Sequence, residues 1–183
     1  MKNWSRMMTS SYEITMATDP VLAPAANAPP VQVWVRWMTS RRRSYMIFCE
    51  FSLVERIGIV KQGLPAIILV TLANDMSVPR EVLFGWLGIP RATANRKVRE
   101  NAVLTQNESE RALGIARVVG QVSKIVLESG NDEGFDAAKW TAAWLGRPNP
   151  AFGGRRPGGY MDTTDGRELV AGLVAQMQSG AYA

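Results

Sequence analysis

Residues 77–100, SVPREVLFGWLGIPRATANRKVRE, contain two short helical segments separated by a tight turn. Ser77 can cap the first segment, and Pro79 falls in its first turn, where a missing N–H group is tolerated. Gly88 ends that segment, and the second runs over roughly 90–100. Two short helices joined by a tight turn, the second rich in Arg, Thr and Asn, are typical of a helix-turn-helix.

The second segment carries polar side chains of the kinds that contact DNA. From a helix in the major groove, Thr93, Asn95 and Arg96 could hydrogen-bond to base edges. The cations that could neutralise phosphates are Arg91, Arg96, Lys97 and Arg99. A solvated basic face on an ordinary bundle helix would show the same pattern, so the sequence leaves both interpretations open.

Helical signals continue on both sides of this motif. An apolar run predicts a helix over roughly 65–75, and an apolar stripe over 53–60 predicts either a helix ended by Gly63 or a short strand. Downstream, Thr105 and Glu108 form a capping box that opens a helix extending to about residue 128. The predicted buried stripe of this long helix consists of Leu113, Ala116, Val119, Val122 and Val126.

The last third of the chain predicts a helix, a loop and another helix. Asp136 can cap a segment that contains Trp140 and Trp144, two rings four residues apart that we expect to pack in the core. A Pro- and Gly-rich loop covers 147–159, and a final helix is expected over about 164–178. The expected fold class is all-α, with a helix-turn-helix bundle over 51–129 and a small helical domain over 130–183.

The first 50 residues differ in composition from the rest. A Pro- and Ala-rich stretch at 19–30 has no sustained helical period, which predicts a disordered or linker-like arm over 1–50. Within this arm, residues 31–38 alternate briefly and could form a strand. Met38 and Met46 also leave open a natural start further downstream.

Composition excludes several kinds of chemistry. The 183 residues include no histidine, which excludes Ser-His-Asp triads, HExxH zinc sites and histidine proton shuttles. A single cysteine, Cys49, cannot form an internal disulfide or a CxxC site. We therefore expect a protein that is not an enzyme, has no metal or cofactor, and resides in the cytoplasm.

Charge and hydropathy restrict the partners. The net charge of +5 favours an anionic partner. No apolar run approaches the roughly 18 residues that span a bilayer, so no membrane partner is expected. Asp162 and Asp165 are interpreted as favourable charges near the N-terminus of the final helix rather than as metal ligands or catalytic acids.

The last third also contains a distinctive run of residues. It is WLGRPNPAFGGRRP over 144–157, followed by DTTDGRELV over 162–170 and SGAYA over 179–183. This run resembles the toxin-binding domain of the Xre/MbcA/ParS antitoxins. The upstream segments GLP at 63–65, LGIPRAT at 87–93 and LTQNESER at 104–111 are similar to the Xre-like helix-turn-helix of that family, so the resemblance covers about residues 59–183.

The resemblance implies an antitoxin that binds a cognate RES-domain toxin, which degrades NAD⁺ or uses NAD⁺ to ADP-ribosylate a protein. In such pairs the C-terminal region of the antitoxin sterically blocks the toxin's pocket, which makes residues 180–183 the expected plug. The toxin-binding residues that the resemblance implies are Arg147, Asn149, Arg155, Arg156, Leu173, Met177, Gly180, Ala181, Tyr182 and Ala183. It also implies a homodimer that binds operator DNA and represses its own operon. The alternative left open is a stand-alone helix-turn-helix regulator whose C-terminal domain only dimerises.

Overall fold

The computed structural model describes residues 45–130 and 133–178, and within these ranges the chain is helical. The α-helices are α1 Ile47–Glu50, α2 Leu53–Gln62, α3 Ile67–Asp75, α4 Arg80–Trp86, α5 Arg91–Arg99, α6 Gln106–Ser129, α7 Ala137–Leu145 and α8 Thr164–Gln178. Two 3-10 turns, Pro150–Phe152 and Pro157–Tyr160, lie between α7 and α8. The described residues form no strand beyond an isolated bridge between Pro65 and Val103. The all-α prediction is confirmed.

Side-chain caps fix where the principal helices begin. Glu108 of α6 makes the reciprocal capping box with Thr105, as predicted. A second capping box, between Ser52 and Glu55, opens α2 and decides its conformation in favour of a helix rather than a strand. Asp136 caps α7 by accepting a hydrogen bond from the backbone N–H of Lys139.

The cap predicted at Ser77 is wrong. The N-cap of α4 is Pro79, with no side-chain hydrogen bond, and Ser77 has a positive φ of 54°. The backbone N–H groups of Ser77 and Val78 donate to carbonyls of α3, at Asn74 and Ala73. Ser77 therefore belongs to the turn that closes α3, which leaves its side chain unable to cap the next helix.

Helix α6 is the centre of the fold, because α1, α2, α3, α7 and α8 all pack against it. Four members of its predicted stripe, from Leu113 to Val122, are buried as expected, and Val126 near the end of the helix is half-exposed. Helix α8 is fixed to α6 by polar contacts as well. Arg167 donates to Glu110 over 2.9 Å, and Gln121 donates to the carbonyl of Ala171 over 3.0 Å.

Residues 45–50 are not a linker, which corrects the predicted extent of the arm. Phe48 is fully buried, Tyr45 is 6% exposed, and the Tyr45 hydroxyl donates to Asp75 over 2.7 Å. Gly120 of α6 lies directly against the Tyr45 carbonyl, where any side chain would collide with it. Phe48 of α1 and Tyr45 just before it thus attach this segment to the core. Residues 1–44, including the possible strand at 31–38, lie outside the described residues.

The described residues, 45–130 and 133–178, belong to one compact unit. The boundary that the sequence predicts between residues 129 and 130 falls where Gly130, with φ of 74°, ends α6. None of the helices described has the combined length and apolar character needed to cross a bilayer.

Candidate functional site

The turn between α4 and α5 is fixed from outside the motif. Gly88 has a φ of 58°, a left-handed conformation that favours glycine, and Ile89 donates its backbone N–H to the carbonyl of Phe84. The guanidinium of Arg111 on α6 donates to the carbonyls of Leu87 and Gly88 over 2.9 and 3.2 Å. The turn therefore holds α5 at a defined angle to the rest of the bundle.

Helix α5 presents five of its six predicted DNA-contacting side chains at the surface. Arg91, Asn95, Arg96 and Arg99 are exposed, and Thr93 is half-exposed. Three of the arginines lie near carboxylates on the same surface: Arg91 is 3.2 Å from Glu81, and Arg96 and Arg99 are 3.3 and 3.8 Å from Glu100. These exposed ion pairs are weak, so phosphates can replace the carboxylates.

Lys97 is the exception and corrects the predicted DNA-binding set. It is 9% exposed, and its ammonium lies 2.5 Å from the Glu108 carboxylate of the α6 capping box. The side chain points into the bundle because residues 94 and 97 share the inner face of α5, where Ala94 is fully buried. Lys97 joins α5 to α6 instead of facing DNA.

Five aromatic side chains of the C-terminal segment form a chain of ring contacts, which we call the aromatic ladder: Phe135, Trp140, Trp144, Phe152 and Tyr160. Trp140 and Trp144 stack almost parallel, with centroids 6.3 Å apart and 8° between planes. Phe135 contacts Trp140 at one end, while Phe152 contacts both Trp144 and Tyr160 at the other. Phe135 and Trp140 are exposed, and the buried ring of the ladder, Phe152, lies between Trp144 and the half-exposed Tyr160.

The predicted core position of Trp140 is therefore wrong. Its side chain is 36% exposed and Trp144 is half-exposed, because the four-residue spacing places both rings along one edge of α7 rather than beneath it. The opposite face of α7 supplies the core contacts through Ala138, Ala142 and Leu145. Spacing predicted a shared face but could not tell which way that face points.

The loop after α7 holds the four polar residues expected to contact a toxin. Arg147, Arg155 and Arg156 are exposed, and no carboxylate of the described residues lies within ion-pair distance of them. Asn149 is half-buried, and its side chain accepts a hydrogen bond from the backbone N–H of Ala151. The amide of Asn149 therefore shapes the loop, while the three arginines face solvent.

Helix α8 divides the remaining predicted toxin-binding residues. Leu173 is only 8% exposed and belongs to the core with Val170 and Val174, which corrects its expected direct contact with a partner. Met177 is half-exposed near the helix end. Residues 180–183, the predicted plug, lie outside the described residues.

Two residues of structural importance went unnoticed in the sequence. Arg111 fixes the turn at Leu87 and Gly88 from α6, and Trp86 of α4 lies directly against Gly158 in the second 3-10 turn. The helix-turn-helix thus touches the C-terminal segment. Neither contact has a local sequence signal, since the partners are 23 or more residues apart.

The acidic residues do not gather into a metal site in the part of the chain described. No three His, Cys, Asp or Glu side chains of residues 45–130 and 133–178 come close enough to hold an ion. Asp162 lies beside Gly88 and Arg111, and Asp165 is in the first turn of α8. Asp165 is thus placed near the N-terminus of α8, where the helix dipole stabilises a negative charge.

Two segments of the chain match known domain families. Residues 55–117 match the antitoxin Xre-like helix-turn-helix domain, which includes α4, α5 and the turn between them. Residues 132–180 match the antitoxin Xre/MbcA/ParS C-terminal toxin-binding domain, which includes the whole aromatic ladder and α8.

Two curated proteins are similar to the chain. The "Prs ADP-ribosylating antitoxin" of Sphingobium sp. (strain YBL2) is 41% identical over 140 residues, which are 76% of this chain and 88% of that protein. The "Antitoxin Xre" of Yersinia enterocolitica serotype O:8 / biotype 1B (strain NCTC 13174 / 8081) is 25% identical over 123 residues, which are 67% of this chain and 78% of that protein.

Proposed function

This chain belongs to the Xre/MbcA/ParS family of antitoxins, and we propose that it binds a cognate RES-domain toxin and blocks the toxin's NAD⁺-binding active site. The observation that carries the proposal is the match of residues 132–180 to a toxin-binding domain. In this proposal the chain acts by binding and catalyses no reaction. Its similar proteins are likewise named antitoxins.

The proposed block is steric, with residues 180–183 entering the toxin pocket. The segment is short and contains a single large side chain, Tyr182. An aromatic ring fills an apolar pocket at low entropic cost, since it has only two side-chain torsions. Helix α8, fixed to α6 through Arg167 and Gln121, gives this segment a rigid support.

Between the two possible activities of the toxin, we favour ADP-ribosylation of a protein over degradation of NAD⁺. The support comes from the 41% identical relative, whose name contains "Prs ADP-ribosylating". Both activities require NAD⁺ in the toxin pocket, so one plug would inhibit either.

Co-expression with the product of the adjacent reading frame tests the proposal. The full-length chain is expected to restore growth, while a chain truncated after Ser179 and a Tyr182→Ala variant are expected to fail. Cellular NAD⁺ that stays normal during intoxication supports protein modification, and a fall in NAD⁺ supports degradation. If the truncated chain neutralises the toxin as well as the full chain does, steric block by residues 180–183 is wrong.

We also propose that the chain binds operator DNA through α5 and represses its own operon. The support is the exposure of Arg91, Asn95, Arg96 and Arg99 beyond a turn that Gly88 and Arg111 fix. Replacing Arg96 with Ala is expected to weaken specific operator binding by about 1–3 kcal/mol if Arg96 contacts a base.

Salt titration distinguishes the possible roles of Arg96. A phosphate contact would weaken all DNA sequences similarly and reduce the salt dependence of binding. Arg147→Ala is the matched control, because Arg147 is also an exposed arginine and lies outside the helix-turn-helix. If Arg96→Ala and Arg147→Ala both leave affinity and salt dependence unchanged, α5 does not contact DNA.

Finally, we propose that the chain works as a homodimer, as paired helix-turn-helix units on a palindromic operator require. The support is an exposed apolar face on α2, formed by Leu53, Val54 and Ile57. Leu53 and Ile57 also line a groove of about 870 Å³ between α2, α6 and α8. Apolar surface of this kind is typical of an interface between protein chains.

A further inference from the structure

We propose that the aromatic ladder is the surface that anchors the toxin, through an apolar pocket on the toxin rimmed by carboxylates. This inference rests on the proposed function and separates two roles that the family description leaves together. The ladder would supply the binding affinity, and residues 180–183 would supply the inhibition.

The first argument is exposure. Phe135 is 37% and Trp140 is 36% exposed, although each ring lies within 6.3 Å of a neighbouring ring. Large aromatic side chains that remain at the surface of a folded chain mark interaction sites, and tryptophan is prominent among the residues that dominate binding energy.

The second argument is rigidity. Trp140 stacks on Trp144, which contacts Phe152, a residue only 5% exposed. The exposed end of the ladder is thus supported ring by ring from the core. Side chains that are already immobilised lose little entropy when a partner covers them, so the ladder is organised in advance for binding.

The base of α7 adds to this rigidity. Asp136 accepts a hydrogen bond from the backbone N–H of Lys139 over 3.0 Å and lies 2.9 Å from the Lys139 ammonium. Although burial opposes ionisation, these bonds hold the pKa of Asp136 below its usual value. The charged cap fixes the first turn of α7 between Phe135 and Trp140.

The third argument is charge. Asp136 and Lys139 neutralise each other beside the ladder, whereas Arg147, Arg155 and Arg156 have no carboxylate within ion-pair distance among the described residues. The loop that carries these arginines also carries Phe152 of the ladder. Three unpaired cations on the loop that also carries a ladder ring fit a partner surface with an apolar pocket and an acidic rim.

The choice of the toxin as partner follows from the position of the ladder. All five rings lie within the segment 132–180 that matches a toxin-binding domain, and none lies on α4 or α5, which carry the predicted DNA contacts. DNA would pair with the arginines but has no apolar pocket for Trp140.

The test measures binding and inhibition separately, using the full-length chain and the purified product of the adjacent reading frame. Trp140→Ala is expected to weaken binding at least about 30-fold, as for an anchoring residue. Trp140→Phe keeps a ring and is expected to recover most of the affinity. Val82→Ala is the matched control, since Val82 is 40% exposed on α4, outside the ladder.

A charge variant provides a second test of the surface, by its dependence on salt. Arg147→Glu is expected to weaken binding about tenfold at low salt and less at high salt, because screening reduces the new repulsion. The chain truncated after Ser179 is expected to retain affinity within about tenfold of the full chain while losing inhibition.

The outcomes separate the two hypotheses. If the full-length chain does not bind the product of the adjacent reading frame at all, the proposed function fails and the ladder proposal fails with it. If the full chain binds and Trp140→Ala and Arg147→Glu bind with unchanged affinity, only the ladder proposal is overturned. Truncation after Ser179 that abolishes binding would also overturn it, because the tail would then be the anchor.

Discussion

Lys97 and Glu108 show how one ion pair can serve two helices. Their side chains are only 11% and 13% exposed, and the same carboxylate accepts from the Lys97 ammonium and from the backbone N–H of Thr105. Burial by itself favours the neutral acid, but these hydrogen bonds outweigh it and hold the pKa of Glu108 below its usual value. Glu108 therefore caps α6 and fixes α5 to it.

The lowered pKa predicts how stability depends on pH. The stabilisation by Glu108 is fully present above the unfolded pKa of about 4.3 and is lost as the pH falls through the lower folded value. Glu108→Gln is expected to lower the free energy of unfolding by about 2 kcal/mol at pH 7, because it leaves Lys97 largely buried without a counter-charge. Urea denaturation at pH 7 and below pH 4 measures the free energy of unfolding of the unmodified chain and of Glu108→Gln. The difference between the two chains should be smaller at acid pH.

Glu55→Gln provides the matched control for this prediction. Glu55 occupies the equivalent position in the capping box of α2, where Ser52 donates to it over 2.7 Å, but it is exposed and has no lysine beside it. We expect a smaller loss of stability than for Glu108→Gln. Equal losses in the two variants would show that the cap alone matters and that the Lys97 ion pair does not.

At the scale of the helices, the contact between Trp86 and Gly158 joins the predicted DNA-binding and toxin-binding parts of the chain. Trp86 ends α4, the first helix of the helix-turn-helix, and Gly158 lies in the 3-10 turn that precedes α8. A Cβ atom at Gly158 would overlap the indole ring, which is rigid and half-buried. Glycine is required here by close approach rather than by an unusual φ.

Gly158→Ala is therefore expected to destabilise the fold by roughly 1–3 kcal/mol, as for other substitutions that overpack a core. Thermal and urea unfolding measure the loss. Gly159→Ala is the control, because no atom lies within 4 Å of the Cβ that it would add. Trp86→Leu in the Gly158→Ala background should restore part of the stability, and a purely additive double-mutant cycle would contradict the contact.

The helices that sequence predicted best are those with local signals. Thr105 with Glu108, and Asp136 with the N–H of Lys139, are three residues apart, so the capping geometry depends on nothing distant. The same holds for Gly130, whose left-handed φ ends α6. Such features can be predicted from a few adjacent residues.

Burial could not be predicted in the same way. Lys97 is buried by Glu108, eleven residues away, and Phe48 by α6, more than fifty residues away. Whether Trp140 faces the core or solvent depends on how α7 packs on α6. The residues of α7 alone do not determine that packing. Of the candidate site, sequence therefore predicted the exposed arginines of α5 and of the 147–159 loop but missed the exposed end of the ladder.

At the scale of the whole molecule, the proposed functions use different surfaces of one compact unit. DNA contacts are proposed on α5, toxin contacts on α7 and the loop that follows it, and pairing of two copies on α2. Helix α6 packs against α2, α7 and α8, and through Arg111 it also holds the turn before α5. A change in one surface therefore reaches the others most directly through α6.

The pairing surface yields the last prediction. Leu53, Val54 and Ile57 are 64%, 78% and 46% exposed along one side of α2, which is a large apolar area for a helix to present to water. Ile57→Glu would place a carboxylate on this apolar face. We expect sedimentation velocity to show a dimer for the unmodified chain and a dimerisation constant at least about 30-fold weaker for the variant, since taking a carboxylate out of water at an interface costs several kcal/mol.

Ile67→Glu is the matched control, because Ile67 is also an isoleucine, is 41% exposed and lies on α3. It should leave the dimer intact. Operator affinity should fall in Ile57→Glu alone, because two half-sites are then bound by separate chains and the advantage of linked binding is lost. A dimer that resists Ile57→Glu would place the pairing surface elsewhere, and a chain that is monomeric throughout would leave repression to single helix-turn-helix units.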